Sequence, residues 1–253
     1  MRVAPHTLRL GREALHRGPL ILVNQAHPVR VAADGRTLDA TCRRQLDALL
    51  DACGGANGRI RLVSGYRSRE EQTRIYDTSA AEHGLAFTQQ YVARPGESEH
   101  QTGLAVDVGE ERPDVDFIRP DFPDTGVCGA FRRQAAAYGF VQRYQADKTP
   151  ITQIACEPWH FRYVGAPHAA IMEARGLCLE EYTAFLAGYA AADPYVHLLE
   201  DGREAHLYHV PADERAGADG VTVVPVLGGE TCEVSGNNVD GYVVTCLRER
   251  RRA

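Results

Sequence analysis

Two rhythms of apolar residues run along the chain, one with the period of a helix and one with the period of a strand. The run at 20–23, Leu-Ile-Leu-Val, is apolar throughout and predicts a buried strand, followed by a loop at His27-Pro28. Over 39–52 the apolar positions Leu46, Leu49 and Leu50 share a helical face, and Gly54-Gly55 supplies the stop. A strand is expected over 60–63, running into the turn Ser64-Gly65-Tyr66-Arg67. Ser68-Arg69-Glu70-Glu71 is a capping box, so a helix starts there and reaches about residue 81, with Gln72 in its first turns. The stretch 83–96 predicts little helix. From Leu104 the pattern alternates, Leu104, Val106 and Val108 against Ala105 and Asp107, which reads as a short strand with His100 just before it.

Residues 109–126 carry Pro113, Pro120 and Pro123 among acidic residues and predict a surface loop beside that strand. A helix over 127–138 is closed by Gly139, a strand follows at 140–144 and a turn at 147–151. The strand expected at 159–164 is entered from a turn at Glu157, because Pro158 disfavours helical backbone there. Helices at 167–175, stopped by Gly176, and 179–190 complete this part. After Asp193-Pro194 the pattern changes to short β-like runs at 205–210, 221–226 and 242–247, with turn signals at Gly236-Asn237-Asn238 and Asp240-Gly241. The expected division is therefore a larger domain over 1–193 and a small β-rich appendage of three or four strands over 194–253.

Composition narrows the functional classes. The chain has 253 residues and a formal net charge of −6, and its one basic run, Arg248 to Arg252, reads as a chain end, so nucleic acid is not an expected partner. No apolar window is long enough for a membrane span, and the first ten residues lack the apolar core of a leader. The seven cysteines are odd in number and contain no Cys-x-x-Cys pair. That argues against a disulfide framework and for reduced thiols, hence for a cytoplasmic chain. Cys156 reads as a small buried residue rather than a ligand.

The chemistry sits in two patches. Ser98-Glu99-His100-Gln101-Thr102-Gly103-Leu104-Ala105-Val106-Asp107 offers an imidazole and a carboxylate; Glu157-Pro158-Trp159-His160 offers a second imidazole and a further carboxylate. Two histidines and one carboxylate are the protein ligands of a catalytic zinc site that leaves a position open for water. His100, Asp107 and His160 are therefore the expected ligands of one zinc ion per chain. Glu157, with no ligand duty, is expected to act as general base and then general acid. The remaining histidines have no paired motif and read as surface or structural.

The patterns Ser98-x-His100-x-x-Gly103-x-Ala105-x-Asp107 and Glu157-x-Trp159-His160, with the block Ser64-Gly65-Tyr66-Arg67-Ser68 and Gln72, resemble the D-alanyl-D-alanine carboxypeptidase and dipeptidase family of zinc peptidases, the VanY, VanX and VanXY type. The resemblance covers about residues 20–190. It implies an α+β fold, a small antiparallel sheet flanked by helices and carrying the zinc site, with the β appendage as an addition. It implies that Arg67 polarises the scissile carbonyl, and that Ser98 and Gln72 bind the substrate's terminal carboxylate. Tyr66 either lines that pocket or caps the core. The implied partners are peptidoglycan precursors ending in D-Ala-D-Ala, or the free dipeptide; the oligomeric state is left open. A peptidoglycan endopeptidase using the same site, or a zinc-containing binding module without activity, are the alternatives, and Glu157 together with Arg67 weighs against the second.

Overall fold

The computed structural model describes residues 3–33, 37–54, 59–213 and 220–250; Gly55 and the end of the Arg248 to Arg252 run lie outside them. In chain order the elements are β1 His6–Gly11, α1 Ala40–Ala52, β2 Ile60–Ser64, α2 Arg69–His83, α3 Leu85–Tyr91, β3 Ala105–Glu110, α4 Gly126–Gln134, β4 Phe140–Tyr144, α5 Thr149–Thr152, β5 Glu157–Tyr163, α6 Ala166–Arg175 and α7 Leu179–Leu186. They continue with β6 Tyr195–Leu198, β7 Arg203–Pro211, β8 Val221–Val226, β9 Thr231–Gly236 and β10 Gly241–Glu249. Packing divides the chain into two compact units, residues 23–178 and residues 1–22 with 179–253. This division runs differently from the composition change after Pro194.

The 23–178 unit is built on an antiparallel sheet in the order β2-β3-β5-β4. Alternation sorts its two faces. On one, Val106 lies opposite Phe161, and Phe161 packs edge-on against Phe131, ring centres 5.0 Å apart. The Leu46 and Leu49 side chains of α1 are also fully buried in this unit. On the other face the register sets Ser64, Asp107 and His160 side by side across three strands, with Ala105 opposite Arg162. A short 3-10 turn, Glu99–Thr102, precedes β3, and all four of its residues are buried.

Local sequence explains the boundaries. Asp39 caps α1 by accepting from the amides of Thr41 and Cys42, and the Ser68/Glu71 capping box opens α2. Gly103 ends the 3-10 turn with φ 71°, and a Cβ there would sit 2.7 Å from the Thr37 carbonyl oxygen. Only glycine meets both demands, which accounts for its place between His100 and Asp107. Gly139 does the same before β4, at φ 84° with the Tyr163 ring 2.8 Å from where a Cβ would lie.

Several expectations are corrected. Residues 20–23 are buried but form no strand. Their hydrogen bonds go to loop and side-chain groups: the Leu20 amide donates to Ser235 Oγ, the Leu22 amide to the Asn237 carbonyl, and Asn238 Nδ2 to the Leu22 carbonyl. The helix-poor reading of 83–96 fails at α3, which is tied to α2 by the Ser79–Thr88 hydroxyl pair and by the Phe87 ring lying tilted against that of His83. Glu157 begins β5 rather than lying in a turn before it. The turn at 147–151 contains the short helix α5.

The other unit holds an antiparallel sheet in the order β6-β7-β10-β9 and a separate β1–β8 pair. Tyr208, Val224, Val226, Tyr242, Val244 and Cys246 form its core. β1 carries no expected element in the sequence, yet pairs with β8 from His6 opposite Val226 to Gly11 opposite Val221. Cys232 and Cys246 face each other across β9 and β10 and form a disulfide, contrary to the expectation of reduced thiols throughout; Cys42, Cys53, Cys128, Cys156 and Cys178 are free. The odd total conceals one pair, so it says nothing about the compartment. Among the described residues no helix is long and apolar enough to cross a membrane.

Candidate functional site

Strand pairing brings the predicted ligands together. Asp107 and His160 are cross-strand partners, and His100 approaches from the 3-10 turn. Asp107 Oδ2 lies 3.1 Å from His100 Nε2, and Asp107 Oδ1 lies 2.9 Å from His160 Nδ1. His100, Asp107 and His160 are buried, and one ligand atom from each lies within 4.8 Å of the others.

The far nitrogens of the two rings determine which nitrogen faces the cluster. His100 Nδ1 lies 2.6 Å from the Gly65 carbonyl oxygen, which can only accept. Nδ1 therefore carries a proton and Nε2 presents its lone pair. His160 Nε2 lies 3.4 Å from Glu99 Oε2, so this ring is arranged the other way round, with Nδ1 facing Asp107. Two imidazole lone pairs and a carboxylate, each fixed from behind, fit a divalent zinc ion.

Glu157 reaches the same cluster by a strand irregularity. From Gln142 to Tyr144 is two steps along β4, whereas their partners Phe161 and Glu157 are four steps apart on β5. The extra residues let Glu157, three positions before His160, place Oε2 3.6 Å from His160 Nδ1. Burial pushes its carboxyl up to about 8; His160 opposes this and Asp107 adds to it. A carboxyl in that range both takes and returns a proton near neutrality. Burial opposes charge on His160, yet hydrogen bonds to Asp107 and Glu99 and the charges of Asp107 and Glu157 push it up to about 10. Burial and the Arg67 charge push His100 the other way, toward its neutral form, against the pull of Asp107.

Arg67 is anchored on three sides. Its guanidinium donates to Gln72 Oε1 and Ser64 Oγ, each at 2.9 Å, and to Asp107 Oδ2 at 3.3 Å. The Arg67 amide donates to the His100 carbonyl, which ties the two sequence blocks together. Gln72 is occupied at both ends, since its Nε2 donates to the Ala93 carbonyl at 2.6 Å. Ser98 lines the chamber without capping the turn that follows it. Tyr66 is not among the residues lining this chamber; it lines a shallow depression with Ser68, Glu70, Glu71 and Arg74.

The chamber around these groups has a volume of about 40 Å³ and is closed in part by Phe117 and Ile118 of the 109–126 loop. A second cavity of about 460 Å³ shares Val92, Ala93, Tyr144 and Ile154 with it and is lined further by Asn24, Gln89 and Gln153. Sequence reasoning missed Glu99, Arg143 and Tyr144. Tyr144 packs on His160 with ring centres 4.9 Å apart, and Arg143 lies 4.9 Å over the other ring, that of Tyr144.

Comparison with known proteins agrees with this geometry. Residues 35–166 match the family model VanY, D-alanyl-D-alanine carboxypeptidase. The chain is 52% identical over 129 residues to the bifunctional D-Ala-D-Ala dipeptidase and carboxypeptidase VanXYC of Enterococcus gallinarum, covering 51% of this chain and 68% of that protein. Its structure is similar to that of the vancomycin-resistance D,D-dipeptidase VanXYg in complex with a D-Ala-D-Ala phosphinate analogue, with TM-score 0.91, 43% identity, 96% of this chain and 99% of the other. It is also similar to a VanY D,D-pentapeptidase variant from a VanB-type resistance cassette in complex with Zn(II), with TM-score 0.53, 34% identity, 65% of this chain and 98% of the other.

Proposed function

Since the chain belongs to the VanY family of D-alanyl-D-alanine carboxypeptidases, we propose that it hydrolyses the last peptide bond of substrates ending in D-Ala-D-Ala. It is a zinc metallopeptidase with one zinc ion, held by His100, Asp107 and His160. Zinc, when bound, polarises a carbonyl oxygen and brings the pKa of a bound water down to roughly 7. Glu157 takes the proton of the attacking water and delivers it to the departing D-Ala amine. The Arg67 guanidinium steadies the negative charge that develops on the carbonyl oxygen, in a site that largely excludes water. Gln72 and Ser64 hold that guanidinium in place, and Ser98 offers a hydroxyl to the substrate's terminal carboxylate. The observation that carries this reading is the meeting of two oppositely oriented imidazoles and one carboxylate beside a buried Glu157 that has no ligand duty.

Both the dipeptide and longer precursors are substrates in this reading. The narrow chamber fits the reacting end, and the larger cavity beyond Tyr144 and Ile154 gives room for the residues that precede it. The test is D-alanine release by zinc-loaded protein from free D-Ala-D-Ala and from a muramyl pentapeptide, side by side. Release from both is expected, with kcat lowered about 10²–10⁴-fold in Glu157→Ala. Release from neither substrate by protein that binds zinc overturns the exopeptidase assignment.

A further inference from the structure

Glu99 lies between two residues that the sequence pattern singles out, Ser98 and His100, and has no role in the reaction described above. Its side chain is fully buried. Oxygen Oε1 accepts from Arg143 Nε at 2.8 Å and from Arg162 Nη1 at 2.9 Å, and Oε2 faces His160 Nε2 at 3.4 Å. The two carboxylate oxygens thus have separate duties. Both guanidiniums hold one, which fixes the plane of the group, and the other is left for the imidazole.

Burying three ionised groups together is unfavourable unless their geometry is well satisfied, and apolar residues of equal volume commonly serve stability as well or better. A requirement other than stability explains their presence. His100 has its ring fixed by a backbone carbonyl, that of Gly65. His160 lies in mid-strand, where a side chain, that of Glu99, supplies the acceptor instead. Arg143 braces the same ring a second time, since it lies over Tyr144, which packs on His160.

We infer that Glu99, clamped by Arg143 and Arg162, is a positioning residue that orients the His160 imidazole so that Nδ1 is turned to the metal and Nε2 carries the proton. The inference rests on the zinc assignment of the site. It also explains why the two ligand histidines use different ring nitrogens.

The experiment is a zinc competition titration against a chromophoric chelator, with proton NMR of the zinc-loaded protein, on the full chain. The variants are Glu99→Gln and the charge-balanced double variant Glu99→Gln/Arg143→Met, in which one anion and one cation are lost together. In Glu99→Gln the guanidiniums retain the amide oxygen and turn the NH2 toward His160 Nε2, which must then accept, so the ring proton is forced to the metal-facing side. The expected result is a zinc Kd raised about 10–100-fold in both variants. The downfield, slowly exchanging Nε2 proton of His160 in the zinc-loaded parent is expected to vanish with it. A group that served only stability would lower the unfolding temperature and leave both readouts unchanged. A folded double variant that binds zinc within about threefold of the parent and keeps the resonance overturns the inference. Failure of the unaltered chain to bind zinc overturns the metal assignment and this inference with it.

Discussion

The two four-stranded sheets are alike in shape and unlike in content. Both are antiparallel, with orders β2-β3-β5-β4 and β6-β7-β10-β9. The second packs its inward positions with Tyr208, Tyr242, Val244 and Cys246, and the Tyr208 hydroxyl satisfies itself on the Pro225 carbonyl at 2.6 Å. The first gathers Glu99, Asp107, Arg143, Glu157, His160 and Arg162, all buried, around one sheet face. Buried charge carries a desolvation cost that hydrophobic packing does not. A fold that accumulates it on one of two similar sheets has concentrated its chemistry there, whereas the core beside the other sheet is built from tyrosine, valine and cysteine.

That contrast predicts that substitutions will separate cleanly into losses of chemistry and losses of stability. Beside the catalytic sheet, the largest effect after Glu157 belongs to Arg67, in the turn that follows β2. Arg67→Ala removes the cation near the developing charge, and kcat for D-alanine release is expected to fall about 10²–10³-fold at saturating zinc. Zinc affinity should weaken as well, because Asp107 Oδ2 loses its guanidinium partner. A variant with normal kcat and weakened zinc binding would reduce Arg67 to a support for Asp107. In the other sheet, Leu207 of β7 is fully buried. Leu207→Ala is expected to cost about 2–5 kcal/mol in urea unfolding while the zinc Kd stays at the parent value. A zinc affinity that moved with this packing change would show that the division of duties between the two sheets is not real.

The ligand set was legible because residue type and spacing constrain it together: His100 and Asp107 flank a glycine that no other residue can replace, and His160 alternates with Arg162 on a strand. Glu99 was not legible in the same way. A glutamate beside a histidine reads as a polar turn residue, and its partners Arg143 and Arg162 lie 44 and 63 residues away. A signal was present, since arginines at inward positions of two neighbouring strands demand a buried anion. The run at 20–23 misled because apolarity reports burial and not hydrogen-bonding pattern; its partners are Ser235, Asn237 and Asn238. The Cys232–Cys246 pair follows from the β9–β10 register, which residue counting does not contain.

The smallest expected effect tests how Arg67 is oriented. The residue after it, Ser68, caps α2 by accepting from the Glu71 amide at 3.1 Å, and the Glu71 carboxylate returns the favour to the Ser68 amide at 2.7 Å. This cap lies at the protein surface, and hydrogen bonding to Ser68 holds the Glu71 carboxyl below its ordinary range. Losing such a cap costs about 1 kcal/mol, so Ser68→Ala should lower stability by that amount in urea unfolding. Arg67 has its own three anchors in Ser64, Gln72 and Asp107, none of which depends on the Ser68 hydroxyl. D-alanine release by Ser68→Ala should therefore match the parent. A kcat loss comparable to that of Arg67→Ala would mean that the cap, rather than the buried polar face of the sheet, sets the guanidinium in place.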